Sequence, residues 1–257
     1  MIDLHSHILP GLDDGPRTMA GAVQMAEVAV AAGTRTIVAT PHVNLVYDVS
    51  PEEIEVAVAE LNAELARRGI GLEVLAGAEV AHWRLAELDD ATLARLRLGD
   101  GPYLLVECPI TSVLGPFEDL VFGLYVRGFA IVLAHPERSL SFQKDPGLVA
   151  RLVRSGMLTS VTAASLAGGF GRSVTKFADQ LFRDGLVHSL ASDAHDHKGG
   201  PPGLMDAFPG AERRLPELPA QADWLTRAAP AAILAGEALA SRPTHVEERR
   251  WRLPWQG

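Results

Sequence analysis

The opening stretch IDLHSHILPGLDDG, Ile2 to Gly15, holds His5, His7, Asp13 and Asp14 within a dozen residues. Imidazole and carboxylate groups at that density are donors for hard to borderline metal ions. The same residue types recur far along the chain: His42 in Thr40-Pro41-His42, Glu79 in Gly77-Ala78-Glu79, Glu107, His135, and the pair Asp193 and His195 in Asp193-Ala194-His195. With one of the two aspartates of the opening turn, these make nine candidate ligands, more than one ion needs. Two or three ions bridged by carboxylates would use them all, and clusters of that kind serve phosphoryl transfer. Cys108 is the one cysteine, so there is no thiolate cluster, and the donor set suits Mn, Fe, Zn or Co. A solitary His or Glu is more often a surface or hydrogen-bonded residue, so His82, His188, His197 and His245 stay unassigned. Asp3 reads as a support for the strand or a ligand, and Glu137 as a neighbour of a ligand.

What must position these residues is a set of short β-branched runs alternating with longer amphipathic stretches, the pattern of a βα repeat with parallel strands. Strand-like runs are Ile2–Leu4, Thr36–Ala39, Leu72–Leu75, Tyr103–Val106, Ala130–Leu133, Leu158–Val161 and Val187–Ala191. Six of these seven runs lead into a candidate ligand, and only the sixth, ending at Thr162, does not. In a barrel of parallel strands every carboxyl end opens onto one face, which would bring together residues more than a hundred positions apart.

The helix signals agree with this alternation. Thr18–Ala32 has helical apolar spacing and stops at Gly33, a residue suited to the left-handed turn past a helix end. Ser50-Pro51-Glu52-Glu53 combines an N-cap serine, a first-turn proline and a capping-box glutamate, and Asp145-Pro146 repeats the cap-plus-proline signal. Further helices are predicted over Leu85–Leu96, Phe117–Arg127, Ser173–Arg183 and Ala220–Ala235. Residues 1–240 read as a single domain and 241–257 as a C-terminal tail of unassigned role.

Composition narrows the function. The 257 residues are 47% apolar, ample for one large core, with a formal charge of -9 and a pI near 5.5. A surplus of acid argues against nucleic acid or anionic lipid as partner, and any acidic ligand would need local positive charge. One cysteine allows no intrachain disulfide, and neither a signal peptide nor a membrane-length apolar run is visible, so a cytoplasmic protein is expected.

His5-x-His7, Asp13-Asp14-Gly15, Thr40-Pro41-His42, Gly77-Ala78-Glu79, His135-Pro136-Glu137-Arg138 and Ser192-Asp193-Ala194-His195 together resemble the polymerase and histidinol phosphatase (PHP) superfamily. Within it, the LDDG opening, the HPER segment, the Ala164-Ser165-Leu166 to Phe170-Gly171 stretch and the Asp193–Pro202 segment are most similar to the manganese-dependent protein-tyrosine phosphatases of bacterial capsule and exopolysaccharide systems. The resemblance runs from Met1 to about Pro202. It implies an α/β fold, a distorted (β/α)7 TIM-like barrel of the PHP type, with a trinuclear metal site on its carboxyl face. By that pattern His5, His7, Glu79 and Asp193 would hold one ion. Glu79 would bridge to a second, completed by Glu107 and His135, and Asp14, His42 and His195 would hold the third. The adjacent Asp13 and Asp14 are barely separated by the motif, with Asp14 preferred. Arg138 would bind the phosphoryl group and share the catalytic role with Glu79 and Glu107. The implied reaction is hydrolysis of phosphotyrosine on the tail of a bacterial tyrosine kinase that controls polysaccharide assembly.

Two positions depart from the family. Arg is common before the paired prolines, where this chain reads Lys198-Gly199-Gly200-Pro201-Pro202, and Gly169 stands at another position where Arg is common. Lys198 would supply substrate-binding charge, though as a point charge without the fork of Arg. The rival readings are a small-molecule phosphatase of the histidinol-phosphate type, an amidohydrolase and a metal-binding module without turnover. The amidohydrolase would want a bridging lysine, and no Lys precedes Lys144.

Overall fold

The computed structural model describes residues 1–110, 117–198, 203–205 and 208–243. Its strands are β1 (Ile2–Ser6), β2 (Thr36–Ala39), β3 (His42–Val43), β4 (Glu73–Ala76), β5 (Glu79–Ala81), β6 (Tyr103–Glu107), β7 (Ala130–Ala134), β8 (Leu158–Thr162) and β9 (Ser189–Ala191). They form a three-stranded sheet, β1-β2-β4, and a six-stranded sheet, β3-β5-β6-β7-β8-β9, with every neighbouring pair parallel.

All seven expected runs are strands, but the second and third each continue, after a two-residue break, into a short extra strand, β3 and β5. The break has a physical cause. Pro41 has no N–H to give to a ladder, and Gly77 sits so close to β2 that a Cβ there would lie 2.7 Å from Val38 Cγ1. Past the break β3 pairs with β5 in a register that sets His42 beside Glu79. The far edges of the two sheets also meet. Ser6 and Ala194 form a parallel bridge, His7 N donates to the Ala194 carbonyl at 2.9 Å, and Asp193 N donates to the His5 carbonyl at 2.9 Å.

Side chains alternate along the strands, so each strand feeds two buried layers. Ile37, Ala39, Leu104, Val106, Ile131 and Leu133 join the large core against the helices. Leu4, Val38, Leu105, Val132 and Ala134 join a smaller cluster with Leu98 and Ile233. Burial on both faces explains why the runs are nearly uninterrupted Val, Ile and Leu.

The helices are α1 (Met19–Ala31), α2 (Pro51–Arg68), α3 (Asp90–Arg95), α4 (Phe117–Val126), α5 (Leu140–Lys144), α6 (Pro146–Arg154), α7 (Ala163–Ala167), α8 (Arg172–Arg183), α9 (Phe208–Ala211), α10 (Leu218–Asp223) and α11 (Ala229–Ala235). Thr18 caps α1, Gly33 beyond its end has φ +94°, and Ser50 with Glu53 makes the full capping box of α2. Three helix expectations need correction. Leu85–Leu96 divides into a 3-10 turn, His82–Ala86, and α3, because Asp89 accepts from Thr92 N and starts a new helix. Asp145 precedes α6 without a side-chain cap bond, its carboxylate lying 3.2 Å from Arg151 instead. Ala220–Ala235 contains a π turn, Trp224–Ala228, between α10 and α11. Pro230 has no N–H for the carbonyl four residues back, and a wider turn accommodates its ring. Of the expected tail, 241–243 are described, with Arg242 stacked 4.4 Å from the Phe182 ring, and the rest lies outside the described residues, as does Gly200. No helix among the described residues is long and apolar enough to cross a membrane.

Candidate metal centre

Six strand ends deliver the candidate ligands to one place. His5 lies within β1 and His7 just past it; His42 opens β3, Glu79 opens β5 and Glu107 closes β6, while His135 follows β7 and Asp193 and His195 follow β9. His135 (φ 36°) and Asp193 (φ 53°) are the two non-glycine residues with positive φ among the described residues. That conformation costs on the order of 1–3 kcal/mol each and persists where surrounding contacts impose it, as at functional sites.

The nine residues form four overlapping groups in which the donor atoms lie within 4.8 Å of one another: His7-Asp14-His42-His195, His5-His7-Asp193, His5-Glu79-His135 and His42-Glu79-Glu107. At the centre, His5 Nε2 and His7 Nε2 face each other at 3.2 Å. Each lies 3.3–3.6 Å from carboxylate oxygens of Glu79 and Asp193. Glu79 is fully buried; its Oε1 is 2.6 Å from His135 Nε2 and its Oε2 is 2.9 Å from His42 Nδ1. Despite that approach, Glu79 Oε2 and His42 Nδ1 are both buried without a hydrogen-bond partner. The half-exposed Asp14 brings Oδ1 to 3.3 Å from His195 Nε2 and 3.7 Å from His42 Nε2.

The neighbouring hydrogen bonds fix which nitrogens face inward. His7 Nδ1 is 2.6 Å from Asp13 Oδ2, and His195 Nδ1 is 2.9 Å from the Asp193 carbonyl. Both acceptors take the proton at Nδ1, so Nε2 is the atom that each ring turns toward the cluster, the one a metal would bind in place of its proton, as orientation of ligand histidines requires. Asp13 also accepts from Gly15 N (2.9 Å) and His42 N (3.0 Å). Of the two adjacent aspartates, Asp13 is therefore spent on orientation and Asp14 faces the donors. Gly15 permits this turn: a Cβ there would lie 2.1 Å from the His7 carbonyl oxygen.

Electrostatics carry the same mark of convergence. Burial opposes charge at His7, yet hydrogen bonds to Asp13 and Asp193 override it and raise its pKa to about 10. Burial would likewise raise Asp193, but His5, His7 and His135 hold it well below the carboxylate range. Glu79 is lowered against burial by His5 and His135, whereas Glu107 is raised by burial and by the charge of Glu79. Two carboxylates in one buried site are thus driven apart in protonation, and a shared cation is what lets both ionise. Inward Nε2 atoms, an orphaned buried carboxylate oxygen and an imidazole-carboxylate donor set without thiolate fit bound divalent metal.

Arg138 follows the His135 turn, and its Nη1 donates to Asp193 Oδ2 at 2.5 Å. Its guanidinium packs 4.6 Å from the half-exposed Phe170 ring, a contact that sequence spacing could not reveal. Lys198 is exposed; its backbone N donates to Asp196 Oδ1 at 2.6 Å, and no contact among the described residues brings its side chain to the cluster. A Cβ on Gly169 would meet the Ala164 carbonyl at 3.1 Å, so a larger residue needs this turn to shift. Asp3 accepts from His5 N and Ser192 N, tying β1 to the segment that bears Asp193, and burial pushes it up to about 6. Glu137 stays out of the cluster and takes Thr162 N and Ser165 Oγ. Tyr47, unmarked by any motif, stacks on His42 with ring centroids 6.1 Å apart.

The sequence profile of the family described as capsular polysaccharide synthesis, CpsB/CapC, matches residues 1–235. The tyrosine-protein phosphatase YwqE of Bacillus subtilis (strain 168) is 41% identical over 199 residues, 77% of this chain and 78% of that protein. The putative tyrosine-protein phosphatase CapC of Staphylococcus aureus is 29% identical over 215 residues, 81% of this chain and 82% of that one. Among solved structures, one from the work on YwqE of Bacillus subtilis and CpsB of Streptococcus pneumoniae, described as unique metal-dependent tyrosine phosphatases, superposes with a TM-score of 0.80. That similarity comes at 34% identity and covers 95% of this chain and 100% of the other.

Proposed function

Because the chain belongs to the CpsB/CapC family of capsular polysaccharide synthesis, we propose that it is a metal-dependent protein-tyrosine phosphatase, cytoplasmic, acting on the phosphotyrosine-bearing tail of a bacterial tyrosine kinase. The observation that carries this reading is the buried Glu79 carboxylate, ringed by His5, His42 and His135 and left with one unpartnered oxygen, with Arg138 bound to the neighbouring Asp193. In this reading the seven strand units, with the Ser6–Ala194 bridge between their outer edges, form a distorted (β/α)7 barrel. Residues 1–240 are its one domain.

His5, His7, Glu79 and Asp193 would hold one ion. Glu79, Glu107 and His135 would hold a second, and Asp14, His42 and His195 a third, the metal being manganese as the resemblance implies, from a donor set that also suits Fe, Zn or Co. When bound, the metals supply Lewis acidity, which lowers the pKa of water and neutralises phosphoryl charge. Asp13 and the Asp193 carbonyl hold His7 and His195 in the tautomer that ligation needs. Arg138, with one donor spent on Asp193, turns the rest of its fork to the phosphoryl oxygens, and Phe170 keeps the guanidinium from swinging away. Lys198 adds charge at the rim.

None of the residues assigned here is a dedicated general acid. A tyrosine leaves as a phenolate of pKa about 10, while a serine leaves as an alkoxide several units more basic, so only the serine strongly needs a proton in the transition state. On matched phosphopeptides with added manganese, kcat/KM is expected to be at least ~10²-fold higher for phosphotyrosine than for phosphoserine. Equal rates, or full turnover after exhaustive chelation verified by elemental analysis, would overturn the reading.

A further inference from the structure

On a chain of formal charge -9, one cavity of about 740 Å³ gathers Arg172, Lys176, Arg183 and Arg214 around a single carboxylate, Asp179. Two of the cations are committed. Arg214 Nε donates to Asp179 Oδ2 at 2.8 Å, and its remaining nitrogens reach the carbonyls of Gly210 and Leu166. Arg183 donates to the Arg214 carbonyl at 3.0 Å and lies 3.8 Å from Asp179 Oδ2. Asp179 is therefore used up, and the exposed Arg172 and Lys176 are left without an ion pair among the described residues. They stand one turn apart at the start of α8, whose cap residue, Gly171, has no side chain to bond the free N–H groups of the first turn.

This cavity is joined to the metal centre by covalent neighbours and by hydrogen bonds. Phe170, whose ring faces the Arg138 guanidinium at 4.6 Å, immediately precedes the α8 cap. Ser173 Oγ donates to Gln143 Oε1 at 2.6 Å, and Gln143 Nε2 donates to the Glu137 carbonyl at 2.9 Å, within the turn that presents Arg138. Arg172 is two positions beyond Phe170, at most about 7 Å of backbone. With 4.6 Å to the ring, about 4 Å from the ring to its backbone and about 7 Å of backbone, the path from Arg138 to Arg172 is at most roughly 16 Å, no more than about five residues of extended chain.

We propose that this cavity is a second anion subsite, taking an acidic or phosphorylated side chain within about five residues of the phosphotyrosine that is being hydrolysed. It rests on the reading of the Arg138 site as a phosphotyrosine site. The subsite selects substrates by charge, where the metal centre selects by chemistry. Isolated phosphotyrosine uses only the metal centre, while a segment with a second anion at the right spacing bridges both, in the manner of linked binding elements.

The test uses the full chain with manganese and peptides of one phosphotyrosine. One residue, placed in turn two to five positions away on either side, is Gln, Glu or a non-hydrolysable phosphotyrosine mimic. The anionic peptides are expected to exceed the Gln peptide in kcat/KM by roughly tenfold, through KM, with the preferred side and anion read from the series. Arg172→Glu combined with Lys176→Glu should erase that advantage and leave hydrolysis of a small aryl phosphate unchanged, and the milder Gln pair should fall between. An advantage that is absent in the wild type, or that survives charge reversal, overturns the subsite. If the wild type hydrolyses no phosphotyrosine substrate at all, the phosphatase reading fails instead, and fluorescence anisotropy of the labelled peptides still decides the subsite: binding unaltered by charge reversal refutes it.

Discussion

Replacing Asp13 by Asn is the most informative perturbation of the metal centre, because it changes no donor that faces the cluster. Asp13 accepts three hydrogen bonds, from His7 Nδ1 at 2.6 Å, Gly15 N at 2.9 Å and His42 N at 3.0 Å. Asn fills the same volume, but one carboxamide oxygen cannot serve three donors, and its NH2 then points a donor at a donor. His7 Nδ1 and His42 N both use Oδ2, so a carboxamide oxygen in that place keeps them as weaker, uncharged bonds while the NH2 meets Gly15 N; in the other orientation the NH2 faces His7 and moves its ring proton to Nε2, the atom that faces His5 at 3.2 Å. Either way His7 is less firmly held in the orientation that a metal would need. Loss of a ligand-orienting partner of this kind costs about 10–100-fold in metal affinity, equivalent to about 1.4–2.8 kcal/mol. Titration of chelated protein with manganese, followed by calorimetry and by turnover, should show the weaker Kd in Asp13→Asn with unchanged stoichiometry and a rate largely recovered at saturating metal. Asp14→Asn should differ in kind, since Asp14 Oδ1 lies 3.3 Å from His195 Nε2 and would be a ligand: it should bind fewer ions per chain, with no recovery. Asp13→Asn with a wild-type Kd, or the two variants exchanging phenotypes, would refute the assignment.

Glu79→Ala removes the carboxylate common to two of the four donor groups, so metal content should fall and turnover should drop by at least ~10²-fold; elemental analysis and rate measurement check both. Gly15→Ala places a methyl group 2.1 Å from the His7 carbonyl oxygen, and the turn must move, with about 1–3 kcal/mol of destabilisation in chemical denaturation and turnover lowered at least roughly tenfold. His188, whose Nδ1 accepts from Thr159 N at 3.1 Å, has its pKa lowered to about 4 by burial and by Arg242. Its unfolded value is higher, so the unfolded state binds the extra proton, and stability that is present above about pH 6.5 is lost as pH falls toward 4, by at most about 3 kcal/mol. His188→Asn keeps an acceptor for Thr159 and should flatten this part of the Tm against pH curve relative to wild type; parallel curves would sink the explanation.

Which residues converge was legible in the sequence because residue type and strand-end position are both local signals, and parallel strands turn one into spatial convergence. What remained hidden depended on direction rather than position. Asp13 and Asp14 differ by one residue, and only the His7 Nδ1 contact reveals which of them turns inward. Strands β3 and β5, at two and three residues, are too short to show any periodicity, yet their register is what sets His42 beside Glu79. The helix expected over Leu85–Leu96 failed for the opposite reason: its apolar spacing was real, but the Asp89 cap inside it was the stronger local signal. The basic cavity was hidden most completely. The chain's acidity implied that an anionic partner would need local positive charge, and Arg172, Lys176 and Arg183 are spaced along one helix in plain view. The missing fact was Arg214, thirty-five positions from Asp179, which neutralises the one carboxylate that lines the cavity among the described residues. A charge pattern becomes a site only when the fold decides which charges are already paired.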